Sequence, residues 1–277
     1  MSINKIALYV LTEHPMDAAR SLEQFEPEQL ADYLDALPIN TVAEILKFMV
    51  PSIAVGALKG MPVDKSSKIV TQLGVERGAL LLQRMNGSIR LNFISRMSPV
   101  FANMMRLVLR YPVGTVGQAM NPNVLTVQED LSVGEVMRII KNSAELLHND
   151  IYIIDNKQHL TGQVPVRQLL VSSTDLKMKK IMKMPTHSLS ARASVKSIKT
   201  IPNWNNHDNY PVVDRQGIFL GVMDRAALNK AMNISNEDRT EPELSGTAIE
   251  VAEIFWDACA NMIVPNQTLP NRDKKHE

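Results

Sequence analysis

The sequence predicts an α plus α/β chain: an N-terminal α-helical superhelix of short repeats of about twelve residues, then a duplicated strand-and-helix unit, then one amphipathic helix. Three observations carry that reading. An apolar residue returns at every twelfth position, through Phe25, Leu37, Met49, Met61, Leu73, Met85, Met97 and Leu109. Two stretches share an apolar strand ending in Asp, a short turn and a second strand closing on Gly, at Asp155 to Gly162 and at Asp214 to Gly221. Near the C-terminus Ile249, Ala252, Phe255, Trp256, Cys259 and Ile263 fall at helical spacing.

A continuous helix advances about 100° per residue, so a stripe of period twelve would rotate by roughly 120° per unit and never hold one face. The period is therefore a helix plus a turn. Leu34, Leu46, Leu58, Val70, Leu82 and Ile94 keep a second apolar beat, and breakers follow the frame residues at Pro27, Pro38, Pro51, Pro62, Gly74, Asn86 with Gly87, and Pro99. Helices of about two turns do not stand alone in water, and stacking them into a solenoid with a shared core supplies the missing burial.

After Tyr111 and Pro112 the pattern changes. Each copy of the new unit begins at a Met, Met120 or Met182, and continues into a helix, Val133 to Lys141 or Val195 to Ile201. In the first copy Ile153 and Ile154 precede Asp155, a turn at Asn156 and Lys157 follows, and Leu160 and Thr161 lead to Gly162. The second copy repeats this with Val212, Val213, Asp214, a turn at Arg215 to Gly217, and Phe219, Leu220 and Gly221. Helices containing Leu169 and Leu170, or Ala227 and Leu228, close the two copies.

The stretches AMNPNVLTVQEDLSVGEVMRII with IYIIDNKQHLTGQVPVRQLL, and IMKMPTHSLSARASVKSIKTI with YPVVDRQGIFLGVMDRAAL, resemble a tandem pair of cystathionine-β-synthase (CBS) domains. The preceding repeats, LPINTVAEILKFM onward to RLVLRYP, resemble the intracellular N-terminal superhelix of the MgtE magnesium transporters, and the joining sequence YPVGTVGQAMNPNVLTV is similar to that family's own join. The resemblance covers residues 22–233 and divides the chain into an N-terminal segment 1–21, an MgtE-N-like superhelix 22–112, CBS motif 1 at 113–175 and CBS motif 2 at 176–233. A charged linker at 234–246, a C-terminal helix at 247–264 and a disordered tail at 265–277 complete the expected organisation. The family's membrane domain would follow the second CBS motif, and the 44 residues after Asn233 imply a chain without it.

What this resemblance implies about ligands is tested by residue type. CBS pairs that hold an adenosine nucleotide place Ser or Thr three residues after the strand-ending Gly, and Asp three residues further, where its carboxylate accepts both ribose hydroxyls. Here those positions are Pro165 and Gln168 in the first copy, and Asp224 and Ala227 in the second. The sites are degenerate, and no adenosine ligand is expected to bind more tightly than about 1 mM. Magnesium sensing needs facing carboxylates, yet from Leu37 to Pro112 ten basic residues face three acids, net +7, whereas residues 1–36 carry two bases and seven acids, net −5. Acids survive mainly at Glu23, Glu26, Glu28, Asp32 and Asp35.

The bases recur in the frame, with Lys47 and Lys59 twelve apart and Arg84 and Arg96 twelve apart. A solvated face explains them, and so does a stripe that meets an acidic protein partner or nucleic-acid phosphates. Phe255 and Trp256 mark the C-terminal helix as either self-packed or partner-docking. The family resemblance further implies a homodimer through the CBS pair, for which Val136, Met137, Ile139, Ile140, Leu169, Leu170 and Val171 supply apolar surface.

Composition narrows the class. With 45% apolar and 21% charged residues, a formal charge of +1 and one cysteine, the chain can form a core without disulfides and suits a reducing, cytoplasmic setting. No apolar run reaches the length of about 20 residues that a membrane span needs. Phosphate loops, zinc-protease helices and nucleophile elbows are absent from the sequence, and His14, His148, His159, His187, His207 and His276 show no ligand spacing. The expectation is a non-catalytic regulatory or scaffolding protein. The alternative is a sensor of magnesium or adenine nucleotide that switches the arrangement of superhelix and CBS pair, possible also as the separate subunit of a transporter.

Overall fold

The structure, a computed structural model, describes residues 5–143, 146, 148–185, 187–198 and 209–237. The expected C-terminal helix and tail, with Phe255, Trp256 and Cys259, lie outside the described residues. Two compact units divide at Ser98 and Pro99.

The first unit is helical. After α1 (Lys5–Glu13) and α2 (Pro15–Leu22) come α3 (Pro27–Ala36), α4 (Ile39–Phe48), α5 (Pro51–Gly60), α6 (Val63–Gln83) and α7 (Gly87–Ser95). The breakers act as the spacing predicts. Pro27 and Pro51 occupy first helical positions, Pro38 and Pro62 are N-caps, and Asn86 caps α7 by accepting the Ile89 N–H at 3.0 Å. Gly74, with φ at 83°, splits α6 into two helices in the left-handed conformation that glycine adopts without strain. Helices of ten residues make nearly three turns, not the two expected, because each runs from its breaker to the next frame residue. Leu37, Met49 and Met61 are the C-caps, and together with Leu34, Leu46 and Leu58 they are buried. α3 packs on α5, α4 on α2 and α6, so each helix covers the one two places along.

The second unit starts with the last helix of the series, α8 (Pro99–Val108), and a short α9 (Val116–Ala119). The first copy then runs β1 (Thr126–Gln128), α10 (Val133–Asn142), β2 (Asp150–Ile154), β3 (Leu160–Pro165) and α11 (Val166–Leu170). The second runs α12 (Met178–Ile181), β4 (Leu189–Ser190), α13 (Val195–Ile198), β5 (Asn209–Val213), β6 (Phe219–Asp224) and α14 (Arg225–Glu237), the last reaching into the expected linker. Each copy has a three-stranded sheet in which the first strand pairs parallel with the second and the second antiparallel with the third. Ser132 and Glu135 form a reciprocal capping box at the start of α10.

The segment that leads each copy is exchanged. Asn121, after Met120, pairs with Val222 of the second copy through two backbone hydrogen bonds at 2.7 and 2.9 Å. Lys183, after Met182, pairs with Gln163 of the first copy at 2.8 and 3.0 Å. Bridges at Thr115 to Ser194 and at Ser132 to Lys177 are also mutual images. A pseudo-twofold axis passes between His159 and Ile218, equivalent residues that face each other across it. The leading Met therefore opens each copy in sequence and belongs to the other copy in space.

Candidate functional site

In the first copy Val127, Ile151, Ile153, Val164, Leu169 and Met178 form one core cluster. Strand alternation then turns Thr126, Tyr152 and Gln163 to the opposite sheet face. Register aligns them in one row, Thr126 beside Tyr152, Tyr152 beside Gln163, and Gln163 beside the exchanged Lys183. This row offers a hydroxyl, a phenol, an amide and an exposed cation. The corresponding row of the second copy, Ser188, Pro211, Val222 and Asn121, keeps a hydroxyl and an amide but has neither the phenol nor the cation.

Tyr152 is 0% exposed, its ring stacks on Phe219 with centroids 5.1 Å apart, and its hydroxyl has no hydrogen-bond partner among the described residues. Burial above all, and then the Asp150 carboxylate, drive its pKa far up, so the hydroxyl keeps its proton and is available as a donor. An unpaired buried hydroxyl costs about 1–3 kcal/mol.

The residues singled out by the sequence fall as follows. Pro165 is the N-cap of α11 without a side-chain bond, and Gln168 is exposed on that helix. Asp224 is engaged locally, its carboxylate accepting the Ala227 N–H at 2.6 Å at the start of α14, with Ala227 buried. Lys47 lies in the last turn of α4 and pairs with Glu44 at 2.6 Å; Lys59 lies in the last turn of α5. Arg84 and Arg96 are the C-caps of α6 and α7, and Arg96 also pairs with Asp64. All four stand where helix carbonyls favour a cation.

Three bases the sequence reading did not single out do more. Lys65 donates to the carbonyls of Asp35 and Leu37, Arg77 to those of Leu46 and Met49, and Arg90 to those of Leu82, Gln83 and Met85. Each closes a helix end. The signal was present, since Lys65 and Arg77 are twelve apart and each reaches the frame residue 28 positions back. Much of the +7 is thus spent inside the repeat. Among the described residues, no group of three or more His, Cys, Asp or Glu gathers where it could hold a metal ion.

Comparison with known proteins agrees with this architecture. Residues 13–114 match the MgtE intracellular N domain and residues 113–174 the CBS domain. The magnesium transporter MgtE of Bacillus subtilis is 18% identical over 211 residues, covering 76% of this chain and 47% of that protein. The magnesium transporter MgtE of Thermus thermophilus is 23% identical over 150 residues, 53% of this chain and 32% of that protein. The chain thus spans less than half the length of these relatives. Among solved structures, the cytosolic domain of the Mg2+ channel MgtE in complex with ATP has a TM-score of 0.67 at 23% identity, over 80% of this chain and 92% of that one. The soluble part of a magnesium transporter gives 0.58 at 17%, over 85% and 97%. Among the described residues no helix is long and apolar enough to cross a membrane.

Proposed function

We propose that this chain, an MgtE intracellular N domain followed by a CBS pair, is a non-catalytic regulatory protein of the cytoplasm that passes a conformational state to a partner. The observation that carries the reading is that both domains occur in the order, and over nearly the full length, of the cytosolic domain of the Mg2+ channel. The exchanged leading segments make the CBS pair one two-lobed body, suited to relaying a movement from one lobe to the other. A second copy of the chain is the partner we place on the CBS pair, because Leu170 and Val171 are 71% and 79% exposed at the end of α11. The exposed Lys59 and the helix-end Lys47, Arg84 and Arg96 are proposed as the contacts for an acidic partner protein.

A second reading is favoured by one observation, the Tyr152 hydroxyl without a partner in the row that ends at Lys183. In it the first copy binds a phosphate-bearing ligand by that row in place of the missing ribose anchors. Thermal unfolding with magnesium, ATP, AMP and S-adenosylmethionine separates the readings. A ligand at one hundred times its Kd stabilises by about 2.7 kcal/mol, and the first reading expects no shift of that size from any nucleotide.

A further inference from the structure

We propose that the uncovered face of α7, at Leu91, is the docking site for the chain's own C-terminal segment at 247–264, which completes the helical stack. The inference rests on the proposed contact of Arg84 and Arg96 with acidic groups, and it supplies those groups from within the chain.

The sixth residue after each frame residue is where the helix two places along closes on its neighbour. Ala31 on α3 lies under Gly60 of α5, where a Cβ would come within 2.6 Å of it. Ser67 on α6 lies under α7 and donates to the Phe93 carbonyl at 3.2 Å. Ala43, Val55 and Ala79 fill the same place, and all five are buried. On α7 that place is Leu91, which is 65% exposed. The helix two places on, α9, packs instead on β4 and β6 in the second unit. A terminal repeat needs a polar outer face, and Asn103 provides one at the same place on α8, where it is exposed. Leu91 breaks that rule. At about 100° per residue, Ser88, Asn92 and Ser95 share its side of α7, all exposed and uncharged. Short side chains thus flank the leucine and leave room for a helix against it.

Charge selects the occupant. From Arg77 to Gln128 the chain has six arginines and no Asp or Glu, and two of the six, Arg84 and Arg96, are exposed just before and just after α7. From Thr240 to Asn271 it has five acids, Glu241, Glu243, Glu250, Glu253 and Asp257, and no Lys or Arg. At helical spacing Ile249, Ala252, Phe255, Trp256, Cys259 and Ile263 share one stripe, with Glu250, Glu253 and Asp257 in another beside it. Opposite charge draws such a segment to this end of the stack. Laid on α7, its apolar stripe covers Leu91 and its acids reach toward the flanking arginines.

Crosslinking of the full chain tests this, because Cys259 is its single cysteine. Leu91→Cys adds a second, exposed thiol on α7, and Thr12→Cys adds one on α1, which packs on α2 and α4 and serves as the control. A short bismaleimide then joins either thiol to Cys259. The expected result is a bridge from position 91 to Cys259 within single chains, read by peptide mass after digestion of the monomer band, with none from position 12. Trp256→Asp should abolish it. No bridge at position 91, a bridge only between chains, an equal bridge from position 12, or a bridge that survives Trp256→Asp overturns the proposal. Arg84→Gln with Arg96→Gln separates the two readings: a weakened bridge supports both, and an undiminished one keeps the docking while removing the acidic contact.

Discussion

Arg77 fills a position where a charged fork meets two carbonyls at the end of α4, at 2.7 Å from Met49 O and 3.3 Å from Leu46 O. Charge-assisted bonds to helix carbonyls are worth about 1.5–3 kcal/mol. Arg77→Met keeps the aliphatic stem and loses the cap, and is expected to destabilise the helical unit by about 2 kcal/mol in urea unfolding, against less than about 0.5 kcal/mol for the exposed Lys59→Met. Glu23 behaves in the opposite sense. Burial raises its pKa although the Val50 N–H and Arg20 favour the carboxylate. A carboxylate held above its usual value contributes stability that is fully present below the unfolded pKa and is lost as pH rises through the folded value. Glu23→Gln, an uncharged acceptor for the same N–H, should therefore raise Tm at pH 7, and the gain should vanish toward pH 4.

Among the elements, the repeat helices were legible because one residue type per turn did one job: Pro or Asn at the start, an apolar frame residue at the end. Asn86 caps α7, and Asn86→Ala should cost about 1 kcal/mol. The exchange of leading segments was not legible. A sequence period assigns Met120 to the copy it precedes, whereas pairing across space follows the free edge of a sheet, and Asn121 finds that edge on β6. The polar row was hidden for the same reason, since Thr126, Tyr152, Gln163 and Lys183 share a face only once strand register is known. Asp224, which the sequence places at a nucleotide-anchor position, is instead engaged by the backbone of its own helix through the Ala227 N–H.

At the level of the whole molecule, a helical unit precedes two lobes that exchange their leading segments, and the partner proposed for them is a second copy of the chain. Leu170 and Val171 make the homodimer testable. Sedimentation equilibrium at micromolar concentration should return twice the chain mass of 30.9 kDa, and Leu170→Lys with Val171→Lys should return the single chain mass. The measurement that bears most directly on the regulatory reading is calorimetric titration of ATP and of AMP, with magnesium, into the full chain. With Pro165, Gln168 and Ala227 at the anchor positions and Asp224 bound to its own helix, no saturable heat is expected below about 1 mM. Micromolar binding would contradict it, and its loss in Tyr152→Phe would place the ligand on the polar row of the first copy.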